Sequence, residues 1–427
     1  MAFSAAHAHA RFGLGRTPRD QAPADPQAWL AAQLRVADPG PQGVTVADAF
    51  AALRQDRADR PPPGQPGRAR QIFQAETGAL EDWAVATETP FRERLAWFWA
   101  NHFTVSQRRF PVAPLAGAYV REAIRPHVTG RFADMLLAVM RHPAMLLYLD
   151  NAGSTGPDSV FGRRSGRGMN ENLARECLEL HTVSPASGYA QADVGQLARL
   201  LTGWSVDRQE VSGFRFRPAL HEPGEKTLLG RTFPEGEAGG AAALLFLADH
   251  PATHRHLATK LVRHFVADVP PPDDVRRVEG VLRDTGGDLG KAALEVTRLP
   301  GAWQPLTKLR TPQELVLATL RGAALPPERR PEVNGIMAGL GQTMFGAPFP
   351  IGWPDTAADW AGPEAMLRRI DWCYGFASRP ELPEPEAFSE ILLGKLLSEA
   401  TAAEMRRAGS RRDAITTLLA SPEFQRR

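Results

Sequence analysis

Cysteine is nearly absent. The 427 residues hold two, Cys177 and Cys373. Both sit at apolar positions of helical patterns and no CxxC pair occurs, so a disulfide framework is excluded. Lysine is almost as scarce, confined to Lys226, Lys260, Lys291, Lys308 and Lys395, and arginine carries the rest of the positive charge. Lys plus Arg, 50, nearly balance Asp plus Glu, 48, and the net charge of +2 offers no basic field for nucleic acid. No run of about 18 apolar residues exists, which excludes a transmembrane helix. The opening stretch MAFSAAHAHARFGLGRTPRD lacks the apolar segment of a secretory signal, so a cytoplasmic location is expected of the chain as it stands. Neither a GxSxG elbow nor a Walker A loop is present, and the GLG at 13–15 lacks the strand–turn–helix setting of a dinucleotide site.

What is present is helical periodicity from end to end. The pattern predicts a mostly α fold, one large multi-helix domain over 1–427 with a small β-hairpin insertion. Pro61–Pro66 is expected as an exposed proline-rich loop and 151–169, rich in Gly, Ser and Arg, as a flexible one. The insertion is placed at 211–230. There Phe214 and Phe216 alternate with arginines, and Lys226–Leu229 supplies a second short strand after the turn His221-Glu222-Pro223-Gly224.

The chemistry is sought where polar groups fall on apolar helix faces. At 100° per residue, a helix over Asn170–His181 puts Leu173, Ala174, Cys177, Leu178 and Leu180 on one face, with Asn170 and His181 among them. A buried polar side chain without a partner costs roughly 1–3 kcal/mol, so these groups must meet something. His102 lies among Phe91, Leu95, Phe98 and Trp99 on a second helix. Asp193 borders the apolar face of a third, which ends at Trp204. The expectation is that such groups converge on one polar site.

Each candidate also has a plain structural role open to it. His102 can be a satisfied core histidine. Glu171, Arg175 and Glu179 can be a solvated ladder worth a few tenths of a kcal/mol per pair. Asn172 falls opposite the apolar face and Glu176 between the two. Asp193 with Gln196 has the spacing of a capping box, and His250 stands where a helix N-cap would. His221 and Lys226 sit on the glycine-turn hairpin. Lys260 and His264 form an i, i+4 pair on the polar side of their helix, where solvent is the default partner. Trp353 and Trp360 flank an aspartate in a loop, a packed aromatic turn or a stacking platform. Cys177 and His181 are one turn apart, but neither HExxH nor ExxH spacing occurs.

Two functional readings remain. In the first the chain is an enzyme. His102, Glu171, Glu176, His181, Asp193 and His221 supply acid–base groups or mixed ligands, with His102, His181 and His221 as metal donors. Asn101, Asn170, Asn172, Arg175, Trp204, Lys226 and His250 support them. Such a donor set suits Zn, Fe or Mn, and hydrolysis by metal-activated water would be its default reaction. In the second the inward polar groups form a structural network and the chain acts as a partner protein.

A series of blocks in order carries a resemblance. RFGLGRTP (Arg11–Pro18), WFWANHFTVS (Trp97–Ser106), NENLARECLELHTVS followed by GYAQADVGQLARLLTGW, HEPGEKTLLG (His221–Gly230), HPATHRHLATKLVRHFV (His250–Val266), KLRTPQELV (Lys308–Val316) and GWPDTAADW (Gly352–Trp360) together resemble the bacterial family called domain of unknown function 1800. The resemblance spans nearly the whole chain. It implies a helical fold without assigning a reaction. It also implies a neighbour, the sulfatase-like family called domain of unknown function 1501, and often an envelope or periplasmic setting. This sequence departs from it in showing no export signal, and in reading Tyr189-Ala190-Gln191 where the family has a threonine at the middle position.

Overall fold

The structure, a computed structural model, describes residues 4–38 and 40–427. The first three residues of the N-terminal stretch read above lie outside the described residues. The chain opens with α1 (Ala5–Arg11), α2 (Pro26–Arg35), α3 (Val46–Ala58), α4 (Arg68–Ala86) and α5 (Pro90–His102). Their starts are local chemistry. Asp25 accepts from the amides of Gln27 and Ala28 ahead of α2, and Thr45 and Asp48 exchange hydrogen bonds across the start of α3. Pro90 opens α5, where an amide would lack an intrahelical partner anyway.

The middle of the chain forms α6 (Ala116–Tyr119), α7 (Phe132–Arg141), α8 (Pro143–Tyr148), α9 (Val160–Ser165), α10 (Asn172–Glu176) and α11 (Gln191–Leu201). The stretch expected as a flexible loop therefore contains a helix, α9, whose start Ser159 caps at the Gly162 amide. Its short run of Val160 and Phe161 is too brief to show periodicity. On α7, Phe132, Met135, Leu136, Val139 and Met140 are all fully buried. Their i, i+3, i+4, i+7, i+8 spacing makes one continuous stripe, each side chain contributing about 1.5–3 kcal/mol.

Four short strands follow, and their pairing differs from the expected single hairpin. Strand β1 (Trp204–Val206) pairs antiparallel with β2 (Phe214–Phe216), and β3 (Lys226–Leu228) with β4 (Arg231–Phe233). The Phe214 strand thus pairs backwards with Trp204, not forwards with Lys226. Leu229 and Gly230 both take positive φ, +47° and +78°, and so close β3 onto β4 in a two-residue turn.

The remainder is helical: α12 (Glu237–Ala248), α13 (Pro251–Phe265), α14 (Pro272–Asp284), α15 (Leu289–Arg298), α16 (Pro312–Ala323), α17 (Val333–Gly339), α18 (Ala357–Trp360), α19 (Pro363–Phe376), α20 (Pro385–Leu392), α21 (Glu399–Arg407), α22 (Arg411–Ala420) and α23 (Pro422–Gln425). One contiguous apolar core reaches from Ala8 to Phe424. The final residues fold back on the segment before α16: the Arg427 amide donates to the Lys308 carbonyl at 2.8 Å and the Arg310 amide to Gln425 at 2.9 Å. That return delivers the Arg427 side chain to the interior. Among the described residues no helix is long and apolar enough to cross a membrane.

Candidate functional site

The helix begun by α10 does not end as an α-helix. From Cys177 to His181 it widens into a π turn, and the Thr182 hydroxyl donates to the Cys177 carbonyl at 2.6 Å. The last carbonyls of any helix lack intrahelical partners. Here two imidazoles take them. His256 Nε2, on α13, donates to the Leu180 carbonyl at 2.9 Å, and His102 Nε2, at the end of α5, to the His181 carbonyl at 3.2 Å. The His102 ring lies 5.9 Å from that of His181 and 6.1 Å from that of His256, centroid to centroid. Burial drives all three imidazoles towards the neutral form, His181 down to about 3 and His256 to about 4, with nearby Lys260 adding to the effect. Burial also pushes the Cys177 thiol up to about 12, so it is an inert core residue.

Beside this knot lies a cavity of about 390 Å³. Three helix positions one turn apart, His256, Lys260 and His264, line it from α13. Its apolar wall includes Leu80, Trp97, Leu317, Met337 and Met344. A mostly apolar hollow with a few convergent polar groups is the usual form of a small-molecule site.

The far wall is the segment Phe345–Asp359. Asn101, at the end of α5, holds it like a β-ladder rung: its Nδ2 donates to the Trp353 carbonyl at 2.9 Å and its Oδ1 accepts from the Trp353 amide at 2.7 Å. Gly352 lets the two backbones approach, since a Cβ there would stand 2.5 Å from the Asn101 carbonyl oxygen, at a φ of +83°. Two residues on, Asp355 meets α13. His264 Nδ1 donates to Asp355 Oδ2 at 2.6 Å. Burial alone would raise this carboxyl, but His264, Lys308 and Arg427 together hold it below the usual range. Burial lowers His264 against the pull of Asp355. The pair is therefore a carboxylate and a neutral imidazole whose Nδ1 carries the proton. Nε2 is left as an acceptor, buried and without a partner among the described residues.

Behind the pair stands a buried ion cluster. Glu314 on α16 accepts from Arg94, from Arg427 Nε at 3.1 Å and from the Thr311 amide at 2.9 Å, with Arg427 Nη2 3.0 Å away as an ion pair. Arg427 also donates to the His264 carbonyl at 3.0 Å. Burial by itself would raise Glu314; Arg427 and Arg94 overcome it and hold the carboxylate well below the usual range. Lys260 differs from these. It makes no hydrogen bond or ion pair among the described residues, and burial brings its ammonium down to about 8.

Of the residues singled out in the sequence, His102 and His181 come together, and Asn101 and His102 line the cavity. Lys260, His264 and Trp353 line it too, and the following lie away from it. His221 donates Nδ1 to the Thr202 carbonyl at 2.8 Å and accepts at Nε2 from the Gly236 amide at 2.9 Å, while Lys226 donates to the Glu222 carbonyl beside it. Glu171 and Arg175 pair at 2.9 Å on the surface, joined by Gln191. Glu176 is half-buried and pushed up by that burial and by Glu179. Asn170 does not point into an apolar face: α10 starts two residues later, and Asn170 Oδ1 accepts from the Asn172 amide at 2.9 Å, with Asn172 itself exposed. Asp193 is the third residue of α11, not its cap. It accepts from the amides of Ala190 and Leu229, tying β3–β4 to the helix. His250 caps α13 by accepting from the Ala252 amide at 3.1 Å. Trp204 is buried against Phe214 and Arg141. Lys260 and His264, given to solvent by the helical wheel, face the cavity instead. Asp355 and Glu314 carried no spacing signal beyond the loop motif GWPD and the capping pattern Thr311–Glu314. Among the described residues no three His, Cys, Asp or Glu side chains are arranged to hold a metal ion.

Fold and cleft together define a class: a mostly helical protein with an internal apolar hollow lined in part by an Asp–His pair and a lysine without a contact partner. The chain belongs to the family described as Protein of unknown function (DUF1800), whose model matches residues 7–426. No curated protein and no solved structure matches it.

Proposed function

We propose that the cleft between α5, α13 and the Phe345–Asp359 segment is the active site of a hydrolase-like enzyme acting on a small organic molecule. The observation that carries this is the His264–Asp355 contact of 2.6 Å at the polar end of the cavity. Asp355 fixes the tautomer and leaves Nε2 as the base, the arrangement required to take a proton from an attacking water. Lys260, an unpaired cation at the same end, is the group to stabilise charge developing on a carbonyl oxygen. Metal-activated water, expected from the sequence, has weaker support. The Nε2 atoms of His102 and His256 are already committed to helix carbonyls, and His221 is held elsewhere by backbone groups. No specific observation favours the reading as a partner of a sulfatase-like protein.

The test is turnover of a panel of aryl esters and thioesters of graded acyl length. The purified chain should hydrolyse some of them above the buffer rate. Removing a positioned general base costs about 10²–10⁴ in rate, so His264→Ala should fall by that factor with the fold intact by circular dichroism. Turnover of none, or full turnover by His264→Ala, overturns the proposal.

A further inference from the structure

Most of the charged groups lining the cleft have a contact that holds them. Arg125 is held by Glu93 at 2.6 Å and by Asp38 at 2.9 Å. Arg94 is held by Glu314, and Asp355, hydrogen-bonded to the neutral His264, lies 3.8 Å from both Lys308 and Arg427. Asp359, exposed at the rim, takes the Thr356 hydroxyl at 2.5 Å. Two cations are left over. Lys260 and Arg263, one turn apart on α13, both line the cavity and make neither hydrogen bond nor ion pair among the described residues. Buried or half-buried cations are ordinarily paired, because desolvation without a counter-charge is costly. The cleft thus combines an apolar wall, an acid–base pair and two cations that no carboxylate contacts, Asp355 reaching Lys260 only through its field.

We propose that the ligand is an acid with an apolar body, whose carboxylate lies at Lys260 and Arg263 and whose hydrocarbon part lies against Leu317, Met337 and Met344. Resting on the hydrolytic reading, this names the substrate class: esters or thioesters of apolar carboxylic acids. The water oxygen bonds to the acyl carbon as its proton passes to His264 Nε2. The bond from the acyl carbon to the leaving oxygen or sulfur breaks, and that atom takes the proton from His264. The product acid gives up its own proton to solvent, and its carboxylate is the anion the two cations await. The flexible methionine side chains suit acyl groups of varied shape.

The experiment is calorimetric titration of the full chain with octanoate, octanol and octylammonium, using wild type, Lys260→Met and Arg263→Met. Octanoate should bind, with octanol and octylammonium weaker by about tenfold or more, the worth of a charge-assisted contact. Lys260→Met should weaken octanoate by a similar factor and leave octanol unchanged. Arg263→Met supplies the second reading if the first variant fails to fold. Octanol binding as tightly as octanoate, or both variants binding octanoate like wild type, overturns the anionic head while leaving the hydrolytic site standing. No binding of octanoate by a chain that still hydrolyses esters through His264 overturns this assignment alone. Octanoate binding by a chain without esterase activity overturns the hydrolytic reading alone.

Discussion

Glu314→Gln is the perturbation that most directly tests how the site is supported. The amide keeps the shape of the side chain, and its oxygen can still accept from the Thr311 amide that now donates at 2.9 Å. What disappears is the negative charge between two buried guanidiniums, Arg94 and Arg427. Removing one partner of a buried ion pair costs about 3–5 kcal/mol. Arg94 retains the Gly13 carbonyl and Arg427 the His264 carbonyl, which argues for the low end, about 3 kcal/mol. Unfolding entropy near 2.1 cal/mol/K per residue, over 427 residues, is roughly 0.9 kcal/mol/K, so the melting temperature should fall by about 3 °C. Urea unfolding should show the loss more clearly as a lower midpoint. The matched control is Glu171→Gln on the exposed Arg175 pair, with an expected cost below about 0.5 kcal/mol. The effect has a defined pH dependence. The Glu314 carboxyl is lowered in the folded state, so its contribution is complete above the unfolded value near 4.5 and shrinks as pH falls below it. Wild type and variant should therefore converge in acid. A Glu314→Gln chain within about 1 kcal/mol of wild type at neutral pH would refute the cluster's role as a buried support.

Asn101→Ala removes both side-chain bonds to Trp353. At about 0.5–1.5 kcal/mol each, it should cost roughly 1–3 kcal/mol and speed hydrogen exchange at the Trp353 amide; unchanged exchange there would show that the segment is held by other contacts. The buried histidines predict acid sensitivity. Burial lowers His7, His9 and His256 to about 4 and His181 to about 3. Between 6.5 and those values the unfolded chain binds more protons, so stability should fall as pH drops from 6.5 towards 4. Glu81, raised to about 8 by burial, works in the opposite sense between 8 and 4.5, but four imidazoles outweigh one carboxyl. A urea midpoint that rises from pH 6.5 to 5 would contradict this.

The helical architecture was legible because its signals are local. Stripes such as Phe132–Met140, caps such as Asp25 and Thr45, and Pro90 at a helix start each need only neighbouring residues. The strand pairing was harder to see. Phe214 and Lys226 both look like strand residues, but the choice of partner was made by Leu229 and Gly230 turning β3 onto β4, and by Trp204, whose membership in a strand the helical pattern of α11 concealed. The helix expected from Asn170 starts at Asn172 instead, because the asparagine side chain caps it from outside.

For the site, the helical wheel misassigned the residues for a physical reason. It ranks positions by whether a polar side chain falls on an apolar face. On that measure His102 stood out, and it is indeed buried, but its Nε2 is taken up by a helix-end carbonyl. His221, on its turn, is likewise satisfied by backbone groups. On α13 Leu257, Leu261 and Phe265 are buried, and the wheel gives Lys260 and His264 to solvent. Solvent is displaced there by a segment that Asn101 anchors from 252 residues away in sequence, a contact no local pattern can signal. Burial of a polar group is therefore a poor guide, since folding demands that such groups find partners and the backbone readily supplies them. The better criterion is the polar group that lines a cavity and has been left without a partner. By it His264, Lys260 and Arg263 are the residues whose partners must come from outside the chain, while His102 and His256, which also line the cavity, each have Nε2 taken up by a helix carbonyl.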